Sequence, residues 1–306
     1  MGAMTGLLVG DALGVPYEFH EPSTLPLPEE IEFNPPRGFD RAHLGVPAGT
    51  WSDDGAQALC LLASLLACRR FDAEDFGSRL VRWQDEGYMA IDGRVFDIGI
   101  TTGQALTAIK SGVPAREAGP AGEYDNGNGS LMRVLPLALW HKGMDAELVR
   151  DAHYQSRVTH GHLRSQVCCA LYCLWARRIL EETAAPWDAA TETLRILYRS
   201  HDFGSAGKAG EELEASVRPD EFTPGTGSGY VVDSLRSARW VVRKANYEQV
   251  VRAAVALGHD TDTTACIAGG IAGLMRGIDD IPVRWRKALR GMEMIESLLH
   301  GLLQSA

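Results

Sequence analysis

Apolar and polar positions along this chain follow a helical spacing. They predict helices over residues 2–14, 55–68, 74–88, 103–110, 131–141, 146–156, 162–181, 186–198, 210–216, 228–243, 247–257, 261–276 and 283–303. Residues 22–49, 114–129, 203–207 and 219–229 read as loops. No segment alternates as a strand, and no β-α-β rhythm appears, so the expected fold is all-α, a compact multi-helix bundle. The helix over 162–181 is long and largely apolar, and is expected at the centre.

Two departures from an ordinary amphipathic pattern stand out. Gly2, Gly6, Gly10 and Gly14 recur at every fourth position and share one helix face, which predicts close packing against another helix. The loop over 22–49 carries prolines at 22, 26, 28, 35, 36 and 47. A loop of that length inside a domain is either a lid or a static surface wrap, and the sequence leaves both open.

Composition narrows the class. The chain has 306 residues, 45% hydrophobic and 23% charged, with no linker and no repeat of fixed period, so one domain over 1–306 is expected. A net charge of −10 argues against broad binding to nucleic acid or to anionic membranes. Cys60, Cys68, Cys168, Cys169, Cys173 and Cys266 include no Cys-x-x-Cys pair and lie in apolar helical runs, which predicts buried reduced thiols. Asp11 interrupts the first apolar stretch, no basic region precedes it, and no uncharged apolar run reaches membrane-spanning length. A cytoplasmic monomer is the expectation.

The candidate chemistry lies at two helix starts. Gly258-His259-Asp260-Thr261-Asp262-Thr263-Thr264 precedes an apolar run with Gly269, Gly270 and Gly273 inside it. Ser52-Asp53-Asp54 precedes the run over 56–67. A helix N-cap needs one oxygen-bearing side chain, and both clusters hold more acid than that. Packed carboxylates repel unless a cation lies between them, and oxygen-only donors suit Mg²⁺, Mn²⁺ or Ca²⁺ rather than Zn²⁺. The two clusters are therefore expected to converge on a pair of metal ions.

These stretches fall in an order that resembles a known family. Val9-Gly10-Asp11-Ala12-Leu13-Gly14-Val15-Pro16-Tyr17-Glu18, Thr50-Trp51-Ser52-Asp53-Asp54, Asp97-Ile98-Gly99-Ile100-Thr101-Thr102, Gly127-Asn128-Gly129-Ser130-Leu131-Met132-Arg133, Thr159-His160 and the 258–264 stretch follow one another to about Gly277. In this the chain is similar to the ADP-ribosylglycohydrolase family, of the dinitrogenase-reductase-activating glycohydrolase type. The family's first acidic cluster usually reads Thr-Asp-Asp-Thr. Here Ser52 keeps the hydroxyl, and Gly55 lacks one.

The resemblance implies an orthogonal helix bundle with metals in a central cleft. It implies two Mg²⁺ (or Mn²⁺) ions held by Ser52, Asp53 and Asp54 from one side and Asp260, Asp262 and Thr263 from the other. These would orient a ribose cis-diol and a water. Glu18 is implied beside the metals and Asp97 at the distal ribose, and which of the two is acid and which base stays open. Gly127, Asn128, Gly129 and Ser130 read as a diphosphate cradle, with Arg133 supplying charge. His160 is implied near the ligand, and Tyr230 offers a face for adenine.

The implied reaction is hydrolysis of the glycosidic bond between ADP-ribose and a modified protein side chain, arginine first. Serine-linked ADP-ribose, O-acetyl-ADP-ribose and modified nucleic acid are the alternatives. A silent ADP-ribose-binding protein is the competing class. Retained repulsive carboxylates favour the enzyme, and release of free ADP-ribose discriminates the two.

Overall fold

The computed structural model describes residues 1–200 and 206–305. Among these residues the chain is all-α, as expected. In order the helices are α1 (Gly2–Gly14), α2 (Asp53–Cys68), α3 (Ala73–Glu86), α4 (Ile100–Lys110), α5 (Leu135–Trp140), α6 (Asp145–Arg157), α7 (Leu163–Leu180), α8 (Pro186–Arg199), α9 (Ala206–Glu212), α10 (Val231–Val241), α11 (Tyr247–Val255), α12 (Thr261–Arg276), α13 (Val283–Ala288) and α14 (Met292–Ser305). An isolated bridge between Gly127 and Tyr230 is the nearest approach to β structure among the described residues.

The glycine stripe of α1 meets a matching stripe on α12. A Cβ at Gly6 would lie 2.4 Å from the Gly269 carbonyl oxygen, and one at Gly10 would lie 2.1 Å from that of Ala265. The two backbones therefore touch directly, and only glycine allows it. Thr261 Oγ1 donates to Gly14 O at 2.8 Å, which fixes the register at the functional end of the pair. Helix α7 is buried along most of its length and lies centrally, as its apolar run predicts. The large buried side chains include Trp51, Trp83, Trp285, Phe76, Tyr172 and Tyr247. Five of the six thiols are buried, and Cys68 is half-buried.

Several boundaries differ from the sequence reading, three of them as follows. The helix expected over 131–141 starts only at Leu135, because the Leu131 and Met132 N–H groups both bond the Asn128 carbonyl, at 2.7 and 3.1 Å. The helix expected over 283–303 is two helices, broken at Leu289–Gly291. Gly291 has φ 74°, and the Arg290 N–H bonds Gly49 O at 2.9 Å. That break ties the C-terminal helices to the residues just before the first acidic cluster. Residues 203–205 of the loop expected over 203–207 lie outside the described residues, and 206 and 207 already belong to α9.

The long loop over 22–49 is a wrap at its centre. Ile31, Phe33 and Val46 are buried. The Glu32 carboxylate accepts from Trp285 Nε1 at 2.5 Å and Arg252 Nη2 at 2.8 Å, and Tyr17 Oη donates to the Glu32 carbonyl at 2.8 Å. The segment that follows carries His43 back onto Glu18.

Candidate active site

Two helix N-termini and one backbone crossing build the site. Ser52 caps α2: its hydroxyl accepts from the Asp54 N–H at 3.3 Å and donates to Asp54 Oδ2 at 3.2 Å. Asp54 Oδ2 also accepts from Thr263 Oγ1 at 3.3 Å, which joins α2 to α12. At α12 the Asp260 carboxylate does not cap the helix. It accepts instead from Asn128 Nδ2 at 2.7 Å, linking the second acidic cluster to the glycine turn. Past α1 the chain crosses residue 259. Phe19 N–H bonds His259 O at 2.6 Å and His259 N–H bonds His20 O at 2.7 Å, which sets Glu18 beside Asp260 and Asp262. Phe19 and His259 hold left-handed backbone there, φ 65° and 58°, a conformation bulky residues keep only when their surroundings enforce it.

These groups surround a cleft of about 210 Å³. Its walls include Glu18, Asp53, Asp97, Thr102, Gly127, Asn128, Gly129, His160, Asp260 and Thr263. Asp54 and Asp262 are wholly buried next to it. Asp97 is half-buried with φ 57°, which an aspartate tolerates better than most residues. A second, open hollow of about 400 Å³ shares Gly127 with the first and is lined by Tyr124, Asn126, Arg164, Gly229 and Tyr230. The Arg164 guanidinium lies 5.9 Å from the Tyr230 ring centre.

Burial raises the carboxylates here, and repulsion from neighbouring carboxylates adds to it at most of them. Burial, then Asp97 and Asp260, push Glu18 up to about 10. Burial and Asp260 push Asp97 up to about 6. Asp53, Asp54 and Asp262 lie well above the usual carboxylate range, from burial first and neighbouring carboxylates second. His43 Nε2 lies 2.5 Å from Glu18 Oε2, while burial, Arg41 and Arg94 hold the imidazole below its ordinary value. His160 is pulled down to about 3 by burial and then Arg133, so it is neutral, with Nδ1 2.8 Å from Thr159 Oγ1.

The donor set fits a hard divalent cation. Asp54 Oδ1 and Asp262 Oδ2 are buried without a hydrogen-bond partner, a costly arrangement for carboxylate oxygens unless a cation satisfies them. Ligand atoms of Glu18, Asp260 and Asp262 lie within 4.8 Å of one another, and those of Glu18, His43 and Asp97 form a second such group. The first group is oxygen-only, as Mg²⁺ and Mn²⁺ prefer.

Not every residue singled out from sequence reaches the cleft. Ser130 is wholly buried and turned into the core, with its hydroxyl 2.9 Å from Ser156 Oγ and 3.4 Å from Cys169 Sγ. Arg133 is wholly buried too, its guanidinium bonded to Gln57 and Gln155. Neither side chain faces the glycine turn as the motif suggested, because these bonds hold both in the core. Three residues went unrecognised as site residues. Asp11, a lone acid in an apolar helix, accepts the Ser52 N–H at 2.8 Å and the Gly55 N–H at 2.7 Å. Gln57 donates to Asp53 Oδ2 at 2.8 Å. His43 had no local signal. The missing hydroxyl at Gly55 also has a cause: a Cβ there would lie 2.7 Å from Leu8 Cδ2 and 2.9 Å from Asp11 Oδ2.

An all-α bundle that gathers two acidic helix starts over a glycine turn is the arrangement that the resemblance to a hydrolase of ADP-ribose linkages implies. The chain belongs to the ADP-ribosylglycohydrolase family, whose profile matches residues 1–306. It is 31% identical to "ADP-ribosylarginine hydrolase Tri1" of Pseudomonas putida (strain GB-1), over 100% of this chain and 78% of that protein. It is 27% identical to "ADP-ribosyl-[dinitrogen reductase] glycohydrolase" of Rhodospirillum rubrum, over 94% and 89%. A solved structure titled "ADP-ribosylglycohydrolase-related protein complex" superposes with a TM-score of 0.77 at 32% identity, covering 99% of this chain and 96% of that one. The chain is thus an enzyme, an ADP-ribosyl hydrolase. No described helix is long and apolar enough to cross a membrane.

Proposed function

We propose that this enzyme hydrolyses the bond between ADP-ribose and a protein arginine side chain, using two Mg²⁺ or Mn²⁺ ions held by the acidic cleft. The observation that carries the metal reading is the pair of unpartnered buried oxygens, Asp54 Oδ1 and Asp262 Oδ2. The arginine preference is supported by the relative named for ADP-ribosylarginine.

Ser52, Asp53 and Asp54 from α2, and Asp260, Asp262 and Thr263 from α12, would hold the ions. Such ions supply positive charge for the ribose hydroxyls and acidify a water. Gly127 and Gly129 let backbone N–H groups approach the diphosphate, and Asn128 holds their turn against Asp260. Neutral His160 packs against Gly127 and Gly129 of that turn. Tyr230 offers the adenine a face in the adjoining hollow. Bound cations would favour the carboxylate forms of Glu18 and Asp97. As water attacks the anomeric carbon and the carbon–nitrogen bond breaks, Glu18 or Asp97 would take the proton that the water loses, and that proton would be returned to the departing guanidine nitrogen. A single-domain cytoplasmic monomer completes this reading.

The test is release of free ADP-ribose from arginine-, serine- and nucleic-acid-linked substrates, with and without Mg²⁺. Release from arginine only with Mg²⁺ or Mn²⁺ is expected. Full activity of a preparation shown metal-free by elemental analysis overturns the metal reading, and preference for serine or nucleic-acid linkages overturns the substrate.

A further inference from the structure

Arg133 is a buried cation that no substrate can touch, yet it is wired to the cleft. Its Nη1 donates to Gln57 Oε1 at 2.8 Å, and Gln57 Nε2 donates to Asp53 Oδ2 at 2.8 Å. On the other side Arg133 Nε donates to Gln155 Oε1 at 3.2 Å and Nη2 to Gln155 O at 3.0 Å. Gln155 Nε2 then donates to the Ser130 carbonyl at 3.1 Å, one residue past the glycine turn. Gln57, Arg133 and Gln155 are wholly excluded from solvent.

The order of donors in this chain is forced. A carboxamide can present either end to a neighbour, but a guanidinium only donates. Arg133 therefore fixes the Gln57 oxygen toward itself, and the Gln57 NH₂ toward Asp53. One carboxylate oxygen of Asp53 is committed to Gln57, which sets the rotamer and leaves the other oxygen for the cleft that Asp53 lines. Hydrogen-bond partners behind metal ligands act in this way: they hold the ligand in one orientation before the ion arrives.

We infer that Arg133 and Gln57 are positioning residues for the cation site: the fixed polarity of the Arg133–Gln57 pair orients Asp53, and Gln155 and Ser130 couple that orientation to the glycine turn. This rests on the metal reading above.

The test is Mn²⁺ affinity of the full-length chain, read from the electron paramagnetic resonance of free Mn²⁺ on protein confirmed as folded. Gln57→Met and Arg133→Met, similar in length but without donors to pass on, are expected to bind Mn²⁺ about 10–100-fold more weakly than the unaltered chain. Arg133→Lys, a cation that also only donates, is expected to bind at least about tenfold more tightly than Arg133→Met. Equal affinity of the Lys and Met variants, or of both Met variants and the unaltered chain, overturns the inference and leaves the metal reading standing. No Mn²⁺ binding by the unaltered chain overturns the metal reading itself. Should the Arg133 variants not fold, the Gln57 side-chain amide protons of the unaltered protein, assigned by their loss in Gln57→Met, are expected to shift when Mg²⁺ is added. Unmoved signals overturn the inference.

Discussion

Asp262→Asn is expected to stabilise the metal-free protein while abolishing its response to metal. Asp262 is wholly buried, and its Oδ2 has no hydrogen-bond partner. Its ligand oxygen lies within 4.8 Å of those of Glu18 and Asp260. At an effective dielectric constant of about 20, two unit charges at that separation repel by roughly 3.5 kcal/mol. Protonation relieves the repulsion, but protonating an aspartate at pH 7 costs about 4 kcal/mol. In either state, then, the metal-free fold carries a penalty of roughly 3–4 kcal/mol at this position, which a neutral amide of the same shape mostly removes. A chain of this length has an unfolding entropy of roughly 0.6 kcal/mol per degree, so the metal-free variant should melt about 3–6 °C above the metal-free parent. Mg²⁺ at a hundred times its dissociation constant stabilises the parent by about 2.7 kcal/mol, or about 4 °C, and should leave the variant unmoved. Calorimetric melting of both proteins, with chelator and with Mg²⁺, reads all four values. A metal-free variant that melts below the parent, or one that gains as much from Mg²⁺ as the parent does, refutes the reasoning.

Glu18→Gln and Asp97→Asn should keep ADP-ribose binding and lose about 10²–10⁴-fold in single-turnover rate; near-normal turnover in both would remove proton transfer from these residues. A Cβ at Gly129 would lie 2.8 Å from His160 Cε1, so Gly129→Val should weaken ADP-ribose binding in calorimetry while Mg²⁺ still raises the melting temperature. Unchanged ADP-ribose affinity in that variant would place the cradle elsewhere. Burial, with a smaller push from Arg157, pulls His153 down to about 4, and its Nε2 lies 2.7 Å from Tyr198 Oη. A depressed folded value means that its contribution is whole above about pH 6.5 and fades as pH falls toward 4. It should account for roughly 3 kcal/mol of acid destabilisation, and His153→Gln should flatten the melting curve against pH in that interval; an equally steep decline would exclude it.

Local signals made much of this molecule readable. The four-residue glycine period announced a backbone-to-backbone helix contact, and its partner stripe on α12 was visible as Gly269 and Gly273. The excess acid at two helix starts marked the clusters that the fold brings to one cleft. Features that depend on which way a turn rotates were not readable. Gly129 faces the cleft and Ser130 faces the core, although they are adjacent and belong to one motif. Arg133 looked like a phosphate ligand because arginine beside a glycine turn often is one. Only its full enclosure by Gln57, Gln155 and Phe76 shows otherwise. Asp11 did leave a trace, since an unpaired acid within an apolar helix needs donors, and the Ser52 and Gly55 amides supply them. Gly291 was the available sign that the last helical run is broken.

The seam between α1 and α12 also dictates when the cleft can exist. Thr261 and Gly14, which lock its register, are 247 residues apart. Bringing such distant points together costs an unfolded chain roughly 5 kcal/mol in closure entropy before any contact repays it. Glu18, Asp53 and Asp54 come from the same early part of the sequence as the α1 glycine face. Their counterparts Asp260 and Asp262 come only at the start of α12. The cleft therefore cannot be assembled from either acidic cluster alone: it requires the α1–α12 seam to close across most of the given sequence.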